Sequence, residues 1–263
     1  MKTIDMYQVD AFTDKLFAGN PAAVCVLREW LPDATLQAIA AENNLSETAF
    51  FLPKGEGFEL RWFTPGVEID LCGHATLASA HVIFNHLNYP KDKIDFATRF
   101  VGPLYVARKD GWLTLDFPVW NAAEADIPEA GVAGLGGLRP KECYAKRDYM
   151  FVYEREEDVR DAKPDFKTLH KAGKYICITA PGKDCDFVSR FFCAGDGVDE
   201  DPVTGSTHSM LIPYWAKRLR KTKMLARQLS ERGGTLRCEL LGDRVHIGGQ
   251  AKTYLQGKIF VPE

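Results

Sequence analysis

Two acidic loops, one in each half of the chain, run into a glycine and then into an apolar segment. The first loop spans residues 66–76 around Gly73, and the second spans residues 197–207 around Gly205. In both places a polar residue and an apolar run follow the glycine, which predicts the start of a helix. Backbone N–H groups at a helix start bind carboxylate or phosphate, and glycine lets the ligand approach closely. Two such starts predict a site that holds a small acid from two sides and stabilises negative charge developing on it.

That chemistry suits proton abstraction next to a carboxylate, which requires a base. Glu47 stands at the entrance of an apolar strand and is either a solvated turn carboxylate or a functional acid/base. His74 is either a helper at the site or a cap of the helix that follows it. Cys72 is either a packed thiol or a base. Asp201 is an N-cap, a substrate-binding helper, or both.

The two loops belong to an internal repeat. Gly73 and Gly205 are 132 residues apart, and each is followed 37 residues later by a turn residue of a hairpin pattern, Asp110 or Gly242. At the same offset Cys72 matches Thr204 and Glu47 matches Thr179, so neither residue has a counterpart of the same type in the other half. The candidate bases are therefore not duplicated, which argues against a two-thiol racemase and favours one carboxylate that moves a proton.

The hydrophobic pattern supplies the elements that position these residues. Strands are predicted at residues 4–12, 22–27, 59–63, 94–96, 150–153, 175–180, 186–192 and 254–261, with a further apolar strand after Glu47 and hairpins at 104–117 and 235–247. Helices are predicted at residues 33–44, 77–87, 165–172 and 210–219, and a turn at residues 19–21. The Ala- and Gly-rich stretch 118–139 predicts a crossover between domains 1–117 and 118–263, with the last strand able to return to the first domain.

Composition excludes several classes of protein. The 263 residues carry a net charge of −3, which gives no electrostatic reason to expect nucleic acid or an anionic membrane surface as partner. Seven cysteines without a C-x-x-C pair predict neither a disulfide framework nor a zinc ribbon. No leader pattern and no apolar run of membrane-spanning length occurs, so we expect a cytoplasmic protein.

Metal-dependent and serine-hydrolase chemistry are also disfavoured. The acidic run 196–201 passes directly into Pro202 and lacks a calcium-loop pattern, so no metal is expected. Ser206 does not lie in a G-x-S-x-G pattern, which argues against a hydrolase nucleophile.

Five motifs, taken in order, resemble the phenazine-biosynthesis PhzF-like family, which shares the diaminopimelate epimerase fold. They are Asp10-Ala-Phe12 with Ala18-Gly-Asn-Pro21, Ser46-Glu-Thr-Ala-Phe-Phe51, Cys72-Gly-His-Ala-Thr76, Ser189-Arg-Phe-Phe192 and Glu200-Asp-Pro-Val-Thr-Gly-Ser206. Together they span nearly the whole chain. One departure is Cys193-Ala-Gly-Asp196, where the family pattern is more apolar and contains proline.

The resemblance implies an α+β fold of two pseudo-symmetric domains, each a barrel-like curved sheet around a central helix, with a cleft between them. It implies a cofactor-free isomerase, usually a homodimer, that acts on a small carboxylic acid. It also implies that Glu47 is the general acid/base, that His74 and Asp201 assist, and that the substrate-binding residues are Asn20, Cys72, Gly73, Gly205 and Ser206. The alternative is a non-catalytic member of the same fold that binds a small acid or a protein.

Overall fold

The chain forms two compact units in a computed structural model that describes residues 1–193 and 198–262. Unit 1 comprises Met1–Asp116 and Gly248–Glu263, and unit 2 comprises Phe117–Ile247. Residues 194–197 lie outside the described part, and with them the start of the second acidic loop and most of the stretch that departs from the family pattern.

Unit 1 is built mainly from strands. Its strands are β1 Lys2–Ala11, β2 Asn20–Val26, β3 Glu47–Lys54, β4 Gly57–Phe63, β5 Glu68–Ile69, β6 Lys93–Thr98, β7 Leu104–Lys109, β8 Trp112–Pro118 and, from the end of the chain, β17 Ala251–Val261, and its helices are α1 Asp33–Asn43 and α2 Gly73–His86. The run β17, β1, β2 is antiparallel, β2 and β3 are parallel, β3 and β4 antiparallel, β4 and β6 parallel, and β6, β7 and β8 antiparallel.

Helix α2 lies at the centre of unit 1. Its sequence is apolar on most faces, as expected of a helix enclosed by other elements, and its residues are buried from Gly73 through Ala80. The helix packs on β1, β2, β3 and β17. The predicted curved sheet around a central helix is therefore confirmed for this unit.

Unit 2 repeats the plan with different lengths. Its elements are β9 Ala123–Glu124, α3 Glu129–Gly134, β10 Glu142–Ala145, β11 Tyr149–Val152, α4 Glu156–Arg160, α5 Phe166–Leu169 with a 3-10 turn at His170–Ala172, β12 Ile176–Pro181, β13 Phe187–Phe192, α6 His208–Leu219, β14 Lys223–Gln228, β15 Gly234–Leu241 and β16 Arg244–Gly249. Strands β11 to β15 pair in the order parallel, antiparallel, parallel, antiparallel. Strands β2, β3, β4, β6 and β7 pair in that same order, which supports the internal repeat.

Some features differ from the sequence prediction. Asn20 and Pro21 are the first residues of β2 rather than part of a turn, because both pair with β1. Helix α6 begins at His208, two residues before the predicted start, and follows a turn in which the N–H of His208 donates to the carbonyl of Gly205. Strands β5, β9, β10 and β14 and helices α3 and α4 were not predicted. No helix in the described residues is long and apolar enough to cross a membrane.

The boundary between the two units lies between Asp116 and Phe117, just before the Gly-rich stretch, and that stretch contains helix α3. Two of its glycines are close-packing positions. A Cβ on Gly131 would lie 2.8 Å from the ring of Phe151, and one on Gly134 would lie 2.7 Å from the side chain and 2.9 Å from the backbone nitrogen of Leu169. These glycines let α3 approach the unit 2 core, so their presence reflects packing within unit 2.

We expect Gly134→Ala to destabilise the protein by about 1–3 kcal/mol, the cost typical of overpacking a core. The direction of the change in stability is informative, because a Gly→Ala change at an unhindered helix position stabilises a protein by roughly 0.4–1 kcal/mol. Gly66→Ala is the control, since its Cβ would meet nothing closer than 4.0 Å. Urea unfolding of both variants measures the effect, and a stabilised Gly134→Ala protein would show that the contact with Leu169 relaxes freely.

Candidate active site

The candidate residues of unit 1 meet at one end of its sheet. Asn20 is the first residue of β2 and Glu47 the first of β3, and the two strands are parallel, so their amino ends lie at the same edge. Cys72 precedes α2, whose first residues are Gly73 and His74. Asn20 and His74 each lie 27 positions from Glu47 in the sequence, and the fold brings the three together.

His74 is the centre of this group. Its Nε2 lies 3.1 Å from Oε2 of Glu47, and its Nδ1 lies 3.1 Å from Nδ2 of Asn20 and 3.5 Å from Sγ of Cys72. In the neutral ring, an amide of Asn20 that donates to Nδ1 places the ring proton on Nε2, the nitrogen that faces Glu47. The arrangement therefore places a carboxylate oxygen 3.1 Å from an imidazole nitrogen.

These side chains are largely buried, but polar atoms of His74 and Glu47 lack a hydrogen-bond partner in the described part of the chain. The side chain of His74 is 5% exposed and that of Glu47 is 17% exposed. Neither Nε2 of His74 nor Oε2 of Glu47 has a partner of hydrogen-bond geometry among the described residues, despite their close approach. Buried polar atoms in proteins are normally paired. These two atoms keep hydrogen-bonding capacity that a ligand can use.

Electrostatics divide the roles of the three ionisable groups. Burial opposes a charged ring, but Cys72 and Glu47 outweigh it and raise the pKa of His74 well above its usual 6.5. Burial, together with the charge of Glu47, raises the pKa of the Cys72 thiol. Burial thus favours the neutral thiol of Cys72, whereas a negative charge on Cys72 or Glu47 favours the protonated ring of His74.

The same three residues are the donor set that a metal would use. The ligand atoms of Glu47, Cys72 and His74 all lie within 4.8 Å of one another. However, His74 presents different nitrogens to the other two, Nδ1 toward Cys72 and Nε2 toward Glu47. A single ion would need one ring nitrogen to face both partners, so the arrangement fits proton transfer better than metal ligation.

The candidate residues of unit 2 lie in the loop before α6. Asp201 accepts a hydrogen bond from the hydroxyl of Thr204 at 2.5 Å. The side chain of Gln228, in β14, is buried and holds this loop in place. It accepts a hydrogen bond from the N–H of Thr204 at 2.9 Å and donates one to the carbonyl of Asp201 at 2.7 Å. Asp201 is not the N-cap of α6, because that position is Thr207.

Ser206 has a partner that the sequence did not reveal. Its Oγ accepts a hydrogen bond from Nη2 of Arg147 at 3.1 Å. Arg147 lies in the loop between β10 and β11, 59 residues earlier in the chain. Neither Arg147 nor Gln228 stands in a motif, so spacing alone offered no signal for them.

His208, the first residue of α6, is a buried neutral imidazole. Its Nδ1–H donates to the carbonyl of Thr204 at 2.8 Å, and burial lowers its pKa to about 4 although that hydrogen bond opposes the shift. An unfolded histidine takes up a proton below about pH 6.5, whereas the folded protein does so only near pH 4. Stability from this group is complete above the unfolded pKa and is lost as the pH falls through the folded one.

We therefore expect the free energy of unfolding to fall by up to about 3 kcal/mol between pH 6.5 and 4 on account of His208. His208→Gln, which keeps a hydrogen-bond donor, should reduce that slope. His81, whose pKa burial also lowers to about 4, should leave the variant partly acid-sensitive. Urea unfolding across this pH range decides the matter, and identical slopes for wild type and variant would contradict it.

Two cavities lie away from these residues. One of about 700 Å³ in unit 1 borders His81, Arg108 and Lys252, and one of about 500 Å³ in unit 2 borders Trp120, Glu142 and Tyr214. None of the candidate residues lines either cavity. Neither of these two cavities therefore marks the candidate active site.

Known structures share this fold. The hydroxyproline epimerase of Agrobacterium vitis has the same fold at 12% identity, with a TM-score of 0.61 over 98% of this chain and 92% of that one. A PhzF family phenazine biosynthesis protein of Enterococcus faecalis superposes with a TM-score of 0.95 and 46% identity over 99% of this chain and 100% of that one. The predicted α+β, epimerase-like fold is confirmed.

Sequence comparison gives the family. The family model of the phenazine biosynthesis-like proteins matches residues 9–257. An uncharacterized isomerase of Pseudomonas aeruginosa is 48% identical over 97% of this chain and 98% of that protein. A phenazine biosynthesis-like domain-containing protein of Homo sapiens is 36% identical over 97% of this chain and 99% of that protein. The chain belongs to the phenazine biosynthesis-like (PhzF-like) family and is an isomerase.

Proposed function

We propose that this isomerase moves a proton on a small carboxylic acid without a cofactor, with Glu47 as general acid and base. The observation that carries the proposal is the 3.1 Å approach of Glu47 Oε2 to His74 Nε2, two enclosed atoms that keep capacity for a ligand. A carboxylate in contact with an imidazole of raised pKa can accept a proton from carbon and return it elsewhere.

The proton and electron balance follows from this pair. The Glu47 carboxylate removes a proton from a carbon conjugated with the substrate carboxylate, and the C–H electron pair moves into an enediolate-like intermediate. Protonated Glu47 then delivers the proton to a second carbon, and a double bond shifts in the substrate. His74 and the positive end of the α2 dipole stabilise the negative charge that develops.

The loop before α6 supplies further residues to the proposal. The family resemblance and the internal repeat assign Gly205 and Ser206 to binding the substrate acid and Asp201 to assisting the proton transfer. The homodimer that the resemblance implies is likewise part of the proposal.

The rival base is the Cys72 thiol, and one experiment separates the two. A panel of small unsaturated, amino and cyclic carboxylic acids is incubated in D₂O with wild type and with Cys72→Ala, and deuterium incorporation is measured by mass spectrometry. We expect an acid that exchanges with wild type to exchange within a few-fold as fast with Cys72→Ala, since burial keeps the thiol protonated. Loss of exchange in Cys72→Ala would assign the base to sulfur.

A further inference from the structure

We infer that Arg147 is a positioning residue of the acid-binding site, which orients the hydroxyl of Ser206 toward the substrate's anionic group and adds positive charge beside it. The inference rests on the proposed function, because Ser206 is assigned there to binding the substrate acid. It concerns a side chain that no motif contains.

Arg147 is held in one orientation by a buried carboxylate. Asp148 is 1% exposed, and its Oδ1 and Oδ2 accept from Nε of Arg147 at 2.9 and 3.1 Å, while Oδ2 also accepts from Nη2 at 2.7 Å. A bidentate ion pair of this kind fixes the plane of the guanidinium. The same group lies over the ring of Trp120, 4.7 Å from its centroid, which fixes the plane a second time.

The donors of this guanidinium are unevenly used. An arginine has five N–H groups and accepts nothing. Nε and Nη2 serve Asp148, and Nη2 also donates to Ser206 at 3.1 Å. Within residues 1–193 and 198–262, no hydrogen bond from Nη1 is found, and the side chain is 46% exposed. Two N–H donors on a fixed cation are thus available to an anion from solvent.

The contact with Ser206 has a consequence for its hydroxyl. Because Ser206 Oγ accepts from a charged donor, its own hydrogen must point away from Arg147. Chains of hydrogen bonds polarise one another, so this hydroxyl becomes a better donor. A carboxylate next to Ser206 would meet both an oriented O–H group and a nearby positive charge.

A purely structural account of the pair is less satisfactory. Burying the carboxylate of Asp148 is costly, and well-packed apolar residues commonly stabilise a fold as well as a buried ion pair does. The pair also leaves its cation half exposed. The arrangement is better explained as a device that holds a guanidinium beside Ser206.

The test separates positioning from folding through kinetics with an acid that the exchange panel identifies. We expect Arg147→Gln to raise KM about 10- to 100-fold, the range for a lost charged hydrogen bond, with kcat changed less than about threefold. Arg147→Lys should recover only part of that loss, because an ammonium keeps the charge without the fork. Arg155→Gln is the matched control, since Arg155 makes a similar pair with Asp158 in the same unit.

A double-mutant cycle with Ser206→Ala tests the coupling itself. If Arg147 acts through Ser206, the double variant should lose little more affinity than the more damaged single variant. Multiplicative losses, or a KM for Arg147→Gln equal to that of wild type and the Arg155→Gln control, would overturn the inference. Thermal unfolding of each variant confirms that the comparison is made on folded protein.

Failure of the proposed function would look different. If wild type exchanges none of the acids, the proposed function fails, and the inference is then decided by calorimetric titration of the same acids. Tighter binding to wild type than to Arg147→Gln supports it. Equal binding to both proteins, or no binding to either, contradicts it.

Discussion

Glu47→Gln should abolish nearly all proton transfer while leaving acid binding intact. The change keeps the size of the side chain but removes the basic oxygen that lies 3.1 Å from His74 Nε2. General acid–base catalysis typically contributes 10²- to 10⁴-fold, and this residue performs both proton transfers in our account, so we expect the rate to fall by at least about 10³-fold. The dissociation constant of the acid should change less than about tenfold.

Glu68→Gln is the matched control for this result. Its side chain is 15% exposed, close to the 17% of Glu47, and it lies in the same unit, where it pairs with Arg61 rather than with the candidate site. We expect Glu68→Gln to cost stability but to keep the exchange rate. A Glu47→Gln protein that exchanges as fast as this control would remove Glu47 from the mechanism. If wild type never exchanges protons and Glu47→Gln binds the acid as tightly as wild type does, the binding-protein alternative is favoured.

His74→Gln should lower the rate by about 10²-fold or more and change its pH dependence. Burial opposes a charged ring at His74, but the charges of Cys72 and Glu47 outweigh it and raise the pKa of His74 well above its usual 6.5. Activity that needs the protonated ring will decline as the pH rises through that pKa. The variant should therefore lack the alkaline limb of the wild-type pH profile, which exchange rates measured from pH 6 to 10 would show.

Stability provides an independent check of the same pKa. A group whose folded pKa is raised contributes stability below its unfolded value, here 6.5, and that contribution is lost as the pH rises through the folded pKa. Urea unfolding should show wild type losing stability toward alkaline pH relative to His74→Gln. His86→Gln, twelve residues along the same helix, is the control and should lose stability toward alkaline pH as wild type does. Parallel stability profiles for wild type and His74→Gln would contradict the raised pKa.

The sequence predicted the elements that depend on local pattern. Helix α2 was recognisable because apolar residues occupy most of its faces, and the hairpin at Asp110 because a turn signal separates two alternating runs. Long-range pairing decided what the sequence missed. Asn20 resembles a turn residue, yet pairing with β1 makes it the first residue of β2.

The candidate site shows the same division. Glu47, Cys72 and His74 were identified from their neighbours in sequence, but their meeting depends on the packing of α2 against β2 and β3, which no local signal encodes. The packing role of Gly134 could not be predicted, because glycine has the same local signature whether it gives freedom or close packing. Arg147 reaches Ser206 from a hairpin loop 59 residues away, and only the folded chain brings them together.

We propose that proton transfer by this protein needs neither a metal ion nor an organic cofactor. The most direct test of this proposal is deuterium incorporation by wild type in D₂O after exhaustive dialysis against EDTA, with the acid panel as the only addition. We predict one acid that gains solvent deuterium at carbon at an undiminished rate, and a Glu47→Gln protein that leaves it unlabelled. Exchange that appears only when a metal ion or an organic cofactor is restored would contradict the account.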